Sequence, residues 1–178
     1  MARPSDSMVA VTPKMRLANG LGKTTASVTE FLEHLVGEPV DALDRHHVTT
    51  PAPVPNLLGV AGGHRLLARS TVLRGRTSGQ PFLYAESLLV PSRLPAGFCG
   101  HLRTSSDPIG RILSRYGIEF TRSPLPDSER QHATVLAGFP TPDQHLLART
   151  YQISINREPA MVISEWFLPT LERFLGTC

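Results

Sequence analysis

The spacing of apolar residues changes several times along the chain, and each change marks an element. Residues 1–22 mix Pro, Ser, Thr and Gly without a period, which predicts a loosely ordered lead-in ahead of a single domain over 23–178. Ser27-Val28-Thr29-Glu30 then reads as a capping box. Phe31, Leu32, Leu35 and Val36 follow at helical spacing until Gly37, predicting a helix of about ten residues. Glu38 to Thr50 has room for one strand, and Pro51, Pro53 and Pro55 make the next loop stiff and extended. The period falls to two from Arg65 to Leu73 and from Phe82 to Val90, a β-hairpin with a slightly long loop. Pro91 to His101 reads as loop. Asp107-Pro108 then opens a second helix, with Asp107 as its cap, that runs to Gly117. Ile118 to Arg122 is a further strand, and Ser123 to Gln144 the longest loop. A second hairpin pairs Leu146–Ile155 with Met161–Leu168 across Asn156-Arg157-Glu158, and Leu171–Leu175 closes as a short helix. One antiparallel sheet with two helices on a face, an α+β domain, accommodates this order.

Side chains alternate across a strand, so each strand divides into two faces. Leu67, Arg69, Thr71 and Leu73 share one, and Phe82, Tyr84, Glu86, Leu88 and Val90 share another. Leu147, Arg149, Tyr151, Ile153 and Ile155 fall together, as do Met161, Ile163, Glu165 and Phe167. Each apolar face carries one charge near its middle. Burying an ion costs several kcal/mol unless pairing offsets it. Three arrangements satisfy the pattern: internal Arg–Glu pairs that fix register, half-exposed faces, or a closed pocket lined by Arg69, Arg149, Glu165 and Glu86 that holds a small anion. At the start of the second helix, the amides of Ile109 and Gly110 are donors at a positive helix end.

Composition narrows the picture. The chain has 178 residues with a net charge of +3 and a pI near 9.2. Of its 18 basic residues only Lys14 and Lys23 are lysine, and arginine's planar fork suits carboxylates. The arginines are dispersed and aromatics make up only 6%, a poor match to nucleic-acid binding. Cys99 and Cys178 are too few for a disulfide framework, and no apolar run reaches a membrane span, so a cytoplasmic protein is expected. His46 and His47 point to opposite faces of a strand, and Cys99-Gly100-His101 lacks the context of a catalytic thiol, so no metal site or cysteine nucleophile is expected.

Several stretches carry a family resemblance in their order and spacing. They are Ser27-Val28-Thr29, Leu67-Ala68-Arg69, Gly79-Gln80-Pro81-Phe82-Leu83-Tyr84-Ala85-Glu86-Ser87, Asp107-Pro108-Ile109-Gly110-Arg111-Ile112-Leu113, Ala148-Arg149-Thr150-Tyr151 and Ser164-Glu165-Trp166-Phe167-Leu168-Pro169. From about Ser27 to Pro169 the chain resembles the chorismate lyase family. The resemblance implies an antiparallel sheet with helices packed around a buried ligand cavity. It also implies conversion of chorismate, a small dicarboxylate, to 4-hydroxybenzoate and pyruvate without cofactor or metal.

The family's catalytic arginine falls on Arg69, where it would grip a substrate carboxylate, and its catalytic glutamate on Glu165. Val28 takes the place of a pocket-lining apolar residue, and Ile109, followed by Gly110, that of a helix-start residue with backbone contacts to the ligand. Arg149 matches a recurrent arginine. Glu86 is a departure from members that carry Arg there. Glu165 is then expected as general acid to the departing enolpyruvyl group. The same fold also serves as the ligand-sensing domain of transcription regulators, which carry a DNA-binding domain ahead of it; 22 residues are too few for a helix-turn-helix. Other small unsaturated acids as substrates, or ligand binding without turnover, are the competing expectations.

Overall fold

The computed structural model describes residues 11–23, 27–126 and 142–176. Among these residues six strands form one antiparallel sheet in the spatial order β1-β2-β3-β6-β5-β4. They are β1 (Val40–Pro51), β2 (Arg65–Gly75), β3 (Pro81–Leu89), β4 (Phe120–Leu125), β5 (Leu147–Ile155) and β6 (Glu158–Phe167). Both predicted hairpins form, and β6 lies against β3, so the two hairpins join at the centre of the sheet. The β5–β6 turn is tight because Asn156 and Arg157 adopt φ of 51° and 66°, a left-handed pair whose twist suits a two-residue hairpin. The predicted loop over 123–144 gives up its first residues to β4, and its section 127–141 lies outside the described residues.

Among the described residues four α-helices accompany the sheet: α1 (Pro13–Lys23), α2 (Val28–Val36), α3 (Phe98–Thr104) and α4 (Ile109–Arg115). At α2 the capping box forms as the sequence predicts. Ser27 Oγ accepts from the Glu30 amide at 3.2 Å, and a Glu30 carboxylate oxygen accepts from the Ser27 amide at 3.0 Å. Gly37 ends the helix at φ 73°.

Three local readings need correction. The supposed lead-in contains α1, whose Leu17 and Leu21, one turn apart, are buried with Leu32, Phe82, Phe167 and Leu171. Its two glycines hide the period, and one of them is needed: a Cβ on Gly20 would lie 2.9 Å from the Phe31 ring, so the glycine lets α1 meet α2. Residues 1–10 lie outside the described residues. The supposed loop at 91–101 holds a 3-10 turn and the start of α3, anchored by buried Phe98 and Leu102. Finally, Asp107 does not cap α4; Pro108 occupies that position. The Asp107 carboxylate is drawn instead to Arg115 at 2.9 Å, His101 at 3.2 Å and Arg111 at 3.4 Å. Burial alone would raise its pKa, yet bonds from His101 and Arg111 and the nearby arginine charges hold it below the ordinary value. Arg111 also reaches Glu33 at 2.6 Å, tying α4 to α2.

Candidate functional site

Register sorts the inward side chains into rows. Across one face of the sheet, Thr71, Ala85, Glu165 and Arg149 stand in one row. Arg69, Ser87, Ile163 and Tyr151 form the next. Leu67, Leu89, Met161, Ile153 and Arg122 form a third. Over these rows lies a cavity floored by the small Ala85 and Ser87 of β3, with Arg69 on one side and Glu165 on the other. Those two strands are separated by β3, a gap of about 10 Å at ordinary strand spacing. The roof comes from two helix starts: Ser27, Val28 and Thr29 at α2, and Pro108, Ile109 and Gly110 at α4. Gly110 makes their convergence possible, since a Cβ there would sit 2.9 Å from the Ser27 Cβ.

Of the residues singled out from sequence, Arg69, Glu165, Val28, Ile109 and Gly110 therefore meet around one cavity. Two do not line it. Glu86 points to the opposite face of the sheet, opposite Ser70 and Ser164, and accepts from the Tyr84 hydroxyl at 3.1 Å. The cause is register: Arg69 stands opposite Ser87, so Leu83, Ala85 and Ser87 share its face and Glu86 falls on the other. A charge at position 86 thus acts from behind the sheet, not beside a ligand. Arg149 shares the cavity face but is spent on Glu165, directly across the β5–β6 ladder, with Nε 2.6 Å from Oε2. The ion pair expected within the second hairpin therefore forms, whereas in the first hairpin Arg69 and Glu86 stand on opposite faces of the sheet.

Glu165 is almost fully buried and accepts on both oxygens, from Arg149 and from the Tyr151 hydroxyl at 2.7 Å. Burial on its own would weaken the Arg149 charge, but Glu165 beside it raises the Arg149 pKa above its usual value. Tyr151 is shifted the same way: burial, followed by the Glu165 charge, pushes its phenol well above the usual range, so it stays a hydrogen-bond donor. Both Glu165 oxygens are thus engaged as hydrogen-bond acceptors.

Among the described residues the buried Thr29 Oγ1 has no hydrogen-bond partner, although its residue lines the cavity. Thr29, Tyr151 and Arg122 were not singled out from sequence. Tyr151 carries a sequence signal, two residues beyond Arg149 on the same strand face; Arg122 carries little, because the alternating pattern ends there. Among the described residues no group of three His, Cys, Asp or Glu side chains could hold a metal ion, and no helix is long and apolar enough to cross a membrane.

Known proteins place this architecture. The effector domain of PhnF from Mycobacterium smegmatis superposes with a TM-score of 0.51 at 16% identity, over 83% of this chain and 91% of that one, a likeness of fold. The chorismate pyruvate-lyase of Mycobacterium tuberculosis (strain ATCC 25618 / H37Rv) is 31% identical over 118 residues, 65% of this chain and 59% of that protein. The chain thus matches less than two thirds of that relative's length. The chorismate pyruvate-lyase of Mycobacterium leprae (strain TN) is 28% identical over 149 residues, 82% of this chain and 70% of that protein. A family model described as chorismate pyruvate-lyase, Rv2949c-like, matches residues 23–175, a span that holds both helix starts of the roof and all six strands. The chain belongs to the Rv2949c-like chorismate pyruvate-lyase family.

Proposed function

We propose that the cavity eliminates pyruvate from chorismate and leaves 4-hydroxybenzoate. The observation that carries this reading is the buried pair Arg69 and Glu165, facing each other across the small-residue floor beneath two helix starts. A six-membered ring with a carboxylate at one end fits between a cation and an acceptor so placed. Arg69 holds the ring carboxylate by charge-assisted hydrogen bonds. The Thr29 hydroxyl, which otherwise forfeits about 1–3 kcal/mol as an unpaired buried group, gains a partner when the cavity is filled.

The reaction moves one hydrogen and breaks one C–O bond. Hydrogen leaves C4 of the ring as the C3–O bond to the enolpyruvyl group breaks, and the ring becomes aromatic. The departing enolpyruvate gains a hydrogen on its methylene carbon and becomes pyruvate. Atoms balance without an oxidant or reductant, since the hydrogen lost from carbon is regained on carbon. Glu165, an acceptor on both oxygens, suits uptake of the C4 proton and its return to the enol carbon; Arg149 and Tyr151 fix its orientation. Aromatisation supplies the driving force, so positioning is the main work of the protein.

The test is direct. Purified protein is mixed with chorismate, the aromatic product is followed by chromatography, and pyruvate is followed by a lactate dehydrogenase couple. Equimolar 4-hydroxybenzoate and pyruvate are expected. Arg69→Ala lowers turnover by about 10²-fold or more, as for loss of a preorganised charge donor. Near-wild-type turnover in that variant removes Arg69 from the mechanism. Chorismate binding without pyruvate points instead to a ligand-sensing role on the fold shared with the PhnF effector domain.

A further inference from the structure

The chemistry above leaves one cation of the cavity unused. Arg122 stands on β4 opposite Ile153, in the third row of the cavity face, and lines the cavity beside Tyr151. Its guanidinium carbon is 4.8 Å from the centroid of the Tyr151 ring and 5.8 Å from that of Phe120. Stacking of this kind fixes the plane of the guanidinium while its N–H edge stays available. Among the described residues no carboxylate pairs with it. Arg149, by contrast, spends its charge on Glu165. Arg69 and Arg122 therefore stand on opposite flanks of the cavity, with β3, β6 and β5 between their strands. Arg69 is buried on one flank, and Arg122 lies on the exposed edge strand.

We infer that Arg122 is a specificity-determining residue that holds the second carboxylate of a dicarboxylate ligand, with Tyr151 as its stacking platform. The inference rests on the proposed reaction, in which that carboxylate is the one that departs with pyruvate. Once the C–O bond breaks, the aromatic product carries a single carboxylate and makes no use of Arg122. The same tyrosine contacts both charges: its hydroxyl bonds Glu165 and its face carries Arg122. The grip on the leaving fragment and the orientation of the acceptor are thus set by one side chain.

The test compares Arg122→Gln and Arg122→Lys with the parent protein by calorimetric binding of chorismate and 4-hydroxybenzoate and by pyruvate release. For Arg122→Gln, chorismate KM and Kd rise by about 10–100-fold, the range for loss of a charged hydrogen-bonding partner. Affinity for 4-hydroxybenzoate stays within twofold, and Arg122→Lys recovers part of the loss. Equal weakening of both ligands, or no change in either, overturns the inference. If the parent protein releases no pyruvate, the lyase reading fails on its own account. Benzene-1,3-dicarboxylate and benzoate then serve as the probes for Arg122. A loss confined to the dicarboxylate upholds the inference, and the absence of such a difference overturns it.

Discussion

Arg149→Met separates a residue that binds substrate from one that holds the carboxylate proposed to act in catalysis. The side chain keeps its length and apolar stem but loses the bond to Glu165, which measures 2.6 Å between side chains that are 26% and 3% exposed. Removing one partner of a fully buried pair costs about 3–5 kcal/mol. Arg149 retains some water contact, so about 2–3 kcal/mol is expected after discounting for solvent screening. For a chain of this size each kcal/mol moves Tm by about 2–4 °C, giving a fall of roughly 4–12 °C. Glu165→Gln alone and the double variant complete a thermodynamic cycle. The double variant should be less destabilised than the sum of the two by about 1 kcal/mol or more, because no buried charge is left uncompensated. In steady-state kinetics of the proposed reaction, kcat should fall by about 10²-fold through misplacement of Glu165, while KM for chorismate stays within about threefold. The reverse pattern, with kcat preserved and KM raised tenfold or more, would falsify the positioning role and return Arg149 to the substrate-binding role expected from sequence. A variant as stable as the parent would remove the energetic argument as well.

Two further predictions concern the roof. Gly110→Ala places a Cβ 2.9 Å from the Ser27 Cβ, well inside ordinary carbon contact, so overpacking of about 1–3 kcal/mol outweighs a helix-propensity gain of at most about 1 kcal/mol. Differential scanning fluorimetry should show a lower Tm together with a raised chorismate KM, and a higher Tm would contradict the close approach of the two helices. Asp107→Asn should cost about 1–2 kcal/mol near neutral pH by weakening the bonds to Arg115, His101 and Arg111. The folded-state pKa of Asp107 is depressed, so its contribution is present above the unfolded value of about 3.8 and lost as pH falls through the lower folded value. Denaturant titrations of parent and variant should therefore converge in acid; a gap that is constant with pH would show that the charge is not the cause.

Much of the sheet was legible because alternation is a local property. The strand cores around Leu67–Leu73, Phe82–Leu88 and Leu147–Ile155, the α2 capping box and the Asn156-Arg157 turn depend on neighbours within a few residues. Arg69 and Glu165 stood out for the same reason, as charges in the middle of apolar faces. What escaped was whatever depends on contact between distant segments. α1 looks polar until Leu17 and Leu21 meet the core, and Asp107 looks like a cap until Arg115 and His101 draw its carboxylate away.

Local sequence was enough to set which residues share a strand face and where α2 begins, since both follow from the geometry of a few consecutive residues. Tertiary structure alone decided which faces meet. A shift of one residue in the β2–β3 pairing would exchange Glu86 with Ser87, and that pairing sent Glu86 behind the sheet. The β5–β6 pairing set Arg149 on Glu165, and the β4–β5 pairing brought Arg122 to the cavity. Alternation supplies two faces to every strand without saying which is inside. Pairing with a partner far along the chain makes that choice, and with it the choice of which charges face the cavity.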